Sequence, residues 1–159
     1  MATRALIGYL DEDRVLTCTY NHYDGYPDHL GKILNKHFDT EETAKNIANL
    51  GYISYIDDDG NIEAKNKQSP GKLELGGDLD WENALYAIAD EINDYGADFA
   101  YIWYEGDGDW AQIKNTSNRS MVDQLTNQLN SASNLWPVAE NKKKLEENNY
   151  TEKWQEFIT

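Results

Sequence analysis

Cysteine is all but missing from this chain. Cys18 is the only one in 159 residues, so no internal disulfide can form. That usage fits a reducing compartment, and a cytoplasmic protein is expected. Long apolar runs are missing too. Residues 1–10 hold one arginine and no apolar stretch of signal-peptide length. No stretch approaches the ~20 apolar residues that span a bilayer, so no membrane role is expected. Positive charge is scarce: 14 Lys plus Arg face 29 Asp plus Glu, a net of −15. Such a surface repels nucleic acid and anionic membrane and attracts basic protein surfaces.

The negative charge is also uneven. Residues 57–110 hold 15 acidic and 3 basic residues, whereas residues 111–159 hold 6 of each. Aromatics are abundant at 12%, with 11 Tyr and 5 Trp. Disordered acidic chains lack them, so this chain folds. Its length fits one domain, residues 1–159.

Ala5–Leu10 and Val15–Tyr20 are apolar and β-branched runs around the polar turn 11–14, which predicts a hairpin. Asp24-Gly25-Tyr26-Pro27 is a turn that starts a helix near Pro27. That helix puts Leu30, Ile33, Leu34, His37 and Phe38 on one face. Asp39 or Thr40 caps the next helix, which carries Ala44, Ile47, Ala48 and Leu50 and stops at Gly51. Residues 52–56 and 62–64 read as short strands around a turn at 57–61, and 65–79 as a surface loop.

Trp81, Ala84, Leu85, Ile88, Ala89, Ile92 and Tyr95 follow helical spacing, with Asp78 or Asp80 as cap. Phe99–Tyr104 and Trp110–Ile113 predict a second hairpin. Ser120 and Asp123 resemble a capping box for a helix with Val122, Leu125 and Leu129 on one face. Further helices are expected at 139–148 and 151–158. Two hairpins among helices predict an α+β fold with a mainly antiparallel sheet. Residues 1–114 form its core and 115–159 a helical C-terminal extension.

Several constellations are incomplete. An EF-hand needs a glutamate at its position 12, with glycine at 6. Placing Gly60 at that glycine puts Asn66 in the glutamate's place, and Gly108 fails similarly because Trp103 falls on the first ligand position. His29 and His37 lie two helical turns apart, roughly 12 Å, too far for one metal ion. No metal and no cofactor is expected. Cys18 has no basic neighbour to activate it and reads as a buried small hydrophobe. The run Lys142–Lys144 reads as a solvated helix face. The strand Phe99–Tyr104 lacks the Lys and Arg that an RNA-stacking platform needs. His22 and Asp24 could form an acid–base pair beside Tyr20 and Tyr26.

The blocks Arg4–Gly8, Tyr20–Pro27, Leu30-Gly31 and Leu50–Ser54 together resemble a group of small phage and prophage proteins of uncharacterised function. Its members share a His-aromatic-Asp-Gly-Tyr-Pro block, a helix, a Leu-Gly-x-Ile-Ser stretch and an aromatic strand ending in a Trp hairpin. The resemblance covers residues 4–56 and reaches to 81–113. It implies a phage-linked origin and carries no activity.

Three functions follow as expectations. The first is an acidic phage protein that binds and inhibits or redirects a basic host protein, such as a nucleic-acid-binding defence nuclease or a polymerase, by DNA mimicry. Its contacts would be Asp57, Asp58, Asp59, Glu82, Asp90, Glu91, Asp94, Asp107 and Asp109. The alternative is a small enzyme or ligand-binding domain around His22, Asp24 and Tyr26. The third is a phage structural or assembly component forming homo-oligomers. Acidic faces can also serve solvation alone.

Overall fold

The computed structural model describes residues 3–64, 68–75, 81–106 and 108–129. The helices expected at 139–148 and 151–158, the lysines at 142–144 and the caps Asp78 or Asp80 lie outside the described residues.

The first hairpin is β1 (Ala5–Leu10) and β2 (Val15–Asn21). A wide helical turn at Pro27–Gly31 runs into α1 (Lys32–His37). Next comes α2 (Glu41–Ala48), entered through a reciprocal box between Thr40 and Thr43. Two-residue strands follow: β3 (Tyr52–Ile53), then the hairpin β4 (Tyr55–Ile56) and β5 (Ile62–Glu63). After β6 (Gly71–Glu74) come α3 (Trp81–Asp94), the hairpin β7 (Phe99–Tyr104) and β8 (Trp110–Lys114), and α4 (Asn118–Leu129).

The main sheet runs β3-β2-β1-β7-β8, with β6 sharing the outer edge of β2 with β3. Both expected hairpins are present. Their junction, β1 against β7, is parallel, as is β2 against β3. The α+β sheet is therefore antiparallel in three ladders and parallel in two.

Helices cover both faces. Leu6, Leu10, Ala100, Ile102 and Tyr104 pack under α3 and α4, with Leu85, Ile88, Ile92, Met121 and Leu125. Ala5, Ile7, Tyr9, Tyr101 and Trp103 pack under α1, α2 and the β4–β5 hairpin, with Leu34, Ile47, Ile53 and Ile56. Successive strand residues point to opposite faces. A strand covered on both sides must be apolar throughout, which explains why β1 and β7 are continuous apolar runs. Each fully buried Leu or Ile contributes roughly 1.5–3 kcal/mol.

Four local expectations are corrected. Residues 65–79 include β6, whose Gly-Lys-Leu-Glu sequence alternates half-buried and exposed along the edge of β2 and so lacks an apolar strand signature. Residues 52–56 split at Ser54 into strands of two different sheets. The first turn of α4 is capped by Ser117, whose Oγ accepts from the Ser120 amide at 3.2 Å, rather than by a Ser120–Asp123 box. Leu50, expected on the apolar face of α2, lies past its end and is 43% exposed. No helix among the described residues is long and apolar enough to cross a membrane.

The free edge of β8 is closed by side chains. Gln124 of α4 accepts from the Lys114 amide at 2.9 Å and donates to the Lys114 carbonyl at 3.1 Å. Gln128 donates to the Gln112 carbonyl at 2.9 Å. Unpaired edge groups template strand pairing with another chain, and these amides occupy them. The double variant Gln124→Ala/Gln128→Ala should self-associate at concentrations where the parent stays monodisperse. Sedimentation velocity across a dilution series reads this, and identical profiles would refute it.

Candidate functional site

The Asp-Gly-Tyr-Pro block is held from three sides. Beyond β2, the His22 and Tyr23 amides continue the ladder to the Ile53 and Ser54 carbonyls at 2.9 and 3.0 Å. The Gly25 amide donates to the Thr3 carbonyl at 2.8 Å, and the Tyr101 hydroxyl donates to the Gly25 carbonyl at 2.7 Å. The Asn21 side-chain Nδ2 donates to the Tyr23 carbonyl at 2.9 Å, and its buried Oδ1 has no partner among the described residues. Asp24 sits in the left-handed region at φ 54, which Asp tolerates better than most residues. Tyr23 and Tyr26 stand 50% and 40% exposed.

The β4–β5 hairpin is clamped by two histidines, His29 of the Pro27–Gly31 turn and His37 at the end of α1. His29 Nε2 bonds the Ile56 carbonyl at 2.7 Å, and His37 Nε2 bonds the Asp58 carbonyl at 3.0 Å. A carbonyl only accepts, so both Nε2 atoms carry protons. His29 Nδ1 lies 3.5 Å from Asp58 Oδ1. A Cβ on Gly60 would sit 2.9 Å from His37 Cγ, so only glycine lets the turn approach the ring this closely. Tyr55 stacks on the His29 ring at 5.3 Å and 17°, and Tyr26 leans on it at 6.0 Å.

These contacts join segments whose hydrogen-bonded residues lie 21 and 27 positions apart in the sequence. Partial burial, then the fields of Asp24, Asp58 and Asp57, push the Tyr55 hydroxyl above its ordinary value. Asp58, Tyr55 and Tyr26 thus all meet at the His29 ring. An open cleft of ≈ 240 Å³ continues along α1 between Asp28, His29, Lys32, Ile33, Lys36 and Asp58.

The remaining site candidates are placed elsewhere. His22 Nδ1 shares a 2.8 Å hydrogen bond with the Tyr20 hydroxyl, and no Asp24 oxygen lies within 4.0 Å of the ring. The expected His22–Asp24 acid–base pair is not formed. Tyr20 stacks on Tyr95 at 6.3 Å and leans on Tyr52, so His22 ends an aromatic cluster on the α3 side. Asp90, Glu91 and Asp94 belong to α3, across the sheet from Asp57–Asp59. The Asp90 carboxylate accepts from Asn118 of α4 at 2.6 Å. Glu91 is half-buried, and burial raises it above the ordinary carboxylate value. Asp94 is exposed. Asp109 is exposed in the β7–β8 turn and accepts from the Trp110 amide at 2.8 Å. Asp107 and the side chain of Glu82 lie outside the described residues. The acidic residues of 57–110 thus form no single patch among the described residues.

Cys18 is 1% exposed, and burial pushes its thiol far up, so it behaves as core. Among the described residues no three His, Cys, Asp or Glu side chains are grouped to hold a metal ion. Tyr23, His29 and Tyr55 were not singled out as site residues by sequence reasoning. No local signal could have found Tyr55, because its role depends on a tertiary contact.

Asp57 shapes the turn rather than facing outward. Its carboxylate accepts from the Asp59 and Asn61 amides at 2.9 Å each and from Asn61 Nδ2 at 3.2 Å. The Asn61 amide contributes most to holding it below the ordinary carboxylate value. A carboxylate depressed on folding stabilises above its unfolded pKa, near ~3.9, and loses that contribution as pH falls through the lower folded value. Amide exchange at Asp59 and Asn61 should therefore speed up selectively below about pH 4. An Asp57→Asn variant should flatten that profile. Uniform acceleration along the chain would refute a local role.

No protein-family model, curated protein or solved structure matches this chain.

Proposed function

We propose that this protein is a non-enzymatic acidic binding protein that docks on a basic protein surface. The supporting observation is the exposed acidic turn at Asp58 and Asp59, held by His29 and His37 against the Asp-Gly-Tyr-Pro segment, with the exposed Tyr23 and Tyr26 flanking Asp24 in the chain. Clustered carboxylates raise the local concentration of a cationic partner and speed its association. Tyrosines supply contact area at low cost in conformational entropy. Docking is placed on this face rather than on α3 because Asp90 is held by Asn118 and Glu91 is half-buried, whereas Asp58 and Asp59 are exposed. A phage-linked origin would place the partner among host nucleic-acid-binding proteins, such as a defence nuclease or a polymerase. The carboxylates would then occupy sites that phosphates otherwise fill.

The test is affinity capture from host lysate at low salt. Asp24→Lys/Asp58→Lys/Asp59→Lys should reduce capture of a basic protein by at least about tenfold. Asp90→Lys/Asp94→Lys should leave it intact. Capture that survives the first variant, or that is lost only with the second, refutes the assignment. Capture should also weaken as salt rises, because exposed charges are screened.

A further inference from the structure

We infer that the outer edge of β6 pairs with the same edge of a second copy of this chain, antiparallel and centred on Leu73, to give a weak symmetric dimer. The inference is independent of the docking proposal, because it rests on the sheet edge at β6.

The ladder with β2 fixes which groups β6 turns outward. In an antiparallel pair the hydrogen bonds join directly opposite residues, and bonded pairs alternate with non-bonded ones. The Leu75 amide donates to the Arg14 carbonyl at 2.8 Å, in register with the Leu16–Leu73 and Cys18–Gly71 pairs. Gly71, Leu73 and Leu75 therefore turn their backbone groups toward β2, and Lys72 and Glu74 turn their N–H and C=O groups away from it. Among the described residues no strand pairs with that outer side, and no hydrogen bond takes those groups. The opposite edge of the main sheet is closed by Gln124 and Gln128, so pairing through β6 ends at two copies.

Only one self-pairing register serves both outward residues. It sets Lys72 opposite Glu74 of the second copy, with Leu73 opposite Leu73 on the twofold axis. Centring on Lys72 instead sets lysine against lysine and puts Glu74 opposite Pro70, which has no N–H to give. Centring on Glu74 sets glutamate against glutamate. Opposite charges facing each other across a ladder stabilise it, and like charges destabilise it. In the favoured register each Lys–Glu pair also exchanges both of its backbone hydrogen bonds. The Leu73 side chains then meet on the α3 face, where each is half-buried against the core, while Lys72 and Glu74 are exposed on the other face. A lysine on an edge strand commonly guards against pairing. Here Glu74, two residues on, supplies its counterpart. The strand is short, so the contact falls among the small, transient interfaces.

The experiment is sedimentation equilibrium of the isotope-labelled full chain from micromolar to millimolar concentration at physiological salt, with amide exchange read alongside. The average mass should rise toward twice that of one chain. The Lys72 and Glu74 amides should gain protection as it rises, while Leu73, already bonded to β2, changes little. Lys72→Glu and Glu74→Lys should each weaken association at least about fivefold, since each sets like charges opposite at both symmetric pairs. An equimolar mixture of the two variants should restore it, because every facing pair is again opposite in charge. General repulsion between acidic chains predicts otherwise: Glu74→Lys lowers the negative charge and would strengthen association. Both side chains are exposed, and unchanged resonances elsewhere will show that the fold is kept. A parent that remains a single chain at millimolar concentration would overturn the inference. So would variants that associate as well as the parent, a mixture no tighter than its components, or association that leaves the Lys72 and Glu74 amides unprotected.

Discussion

Glu41→Ala should destabilise the protein by about 3 kcal/mol, the largest loss expected from any surface carboxylate. Glu41 is exposed, at the first turn of α2, yet it joins three elements. Its Oε1 accepts from Trp103 Nε1 at 2.6 Å, from the Tyr9 hydroxyl at 3.4 Å and from the Gly106 amide at 3.0 Å. Trp103 is 1% exposed, so its indole N–H would be buried without an acceptor. Such a group costs ~1–3 kcal/mol, and a hydrogen bond to a charged acceptor is worth ~1.5–3 kcal/mol. Tyr9 would keep Glu105, which also faces its hydroxyl. Burial first, then Glu105 and Glu41, hold that hydroxyl far above the ordinary tyrosine value. At ~2–4 °C per kcal/mol for a chain of this size, Tm should fall by roughly 6–12 °C. Glu41→Gln retains an acceptor and should lose about half as much. Glu42→Ala, one residue on and exposed, should stay within ±0.5 kcal/mol, the range of ordinary surface changes. Urea or thermal unfolding ranks the three. Equal effects of Glu41→Ala and Glu42→Ala would show that the Trp103 bond carries no stability.

Glu41 also shows why charge was easier to count than to interpret. The sequence presents residues 57–110 as a field of carboxylates. In the fold many of them are acceptors for particular amides. Asp57 closes the β4–β5 turn, Asp98 accepts from the Arg4 amide at 3.1 Å, and Glu105 accepts from the Glu12 amide at 2.6 Å. Composition weights all carboxylates equally, whereas turn geometry engages some and leaves Asp58, Asp59 and Asp94 exposed. The helix spacing of α3 and the two hairpins were legible because their periodicity is local. The parallel pairing of β1 with β7 was not, since Ala5 meets Phe99 across most of the chain. The same limit applied to the site. The spacing of His29 and His37 says only that one metal ion cannot bridge them. Their role as clamps was invisible, because their partners are the backbone carbonyls of Ile56 and Asp58. The Asp-Gly-Tyr-Pro turn was legible, but the arrival of Tyr55 and Asp58 beside it was not.

Gly25→Ala should be nearly as damaging, and it links the framework to the docking face. A Cβ at Gly25 would lie 2.6 Å from Ala5 Cβ and 2.8 Å from the Thr3 carbonyl oxygen. Ala5 begins a central strand buried on both faces, so the strand cannot yield and the loop must move. That movement would break the Gly25–Thr3 bond and leave the Tyr101 hydroxyl, on a residue 1% exposed, without its acceptor. Overpacking of ~1–3 kcal/mol and the orphaned hydroxyl together give an expected loss of about 3 kcal/mol. Gly106→Ala separates this clash from simple backbone strain. Gly106 has φ 86, but a Cβ there meets nothing within 4 Å, so only the left-handed conformation is penalised, at ~1–2 kcal/mol. The two variants should also differ in function. Displacing Gly25 moves Tyr23 and Tyr26, so Gly25→Ala should weaken capture of a basic partner under conditions where it remains folded. Gly106→Ala, at the opposite end of β7 from the Ala5–Phe99 pair, should not. If Gly25→Ala unfolds no more readily than Gly106→Ala and captures as well as the parent, the block is neither rigidly held nor the docking face.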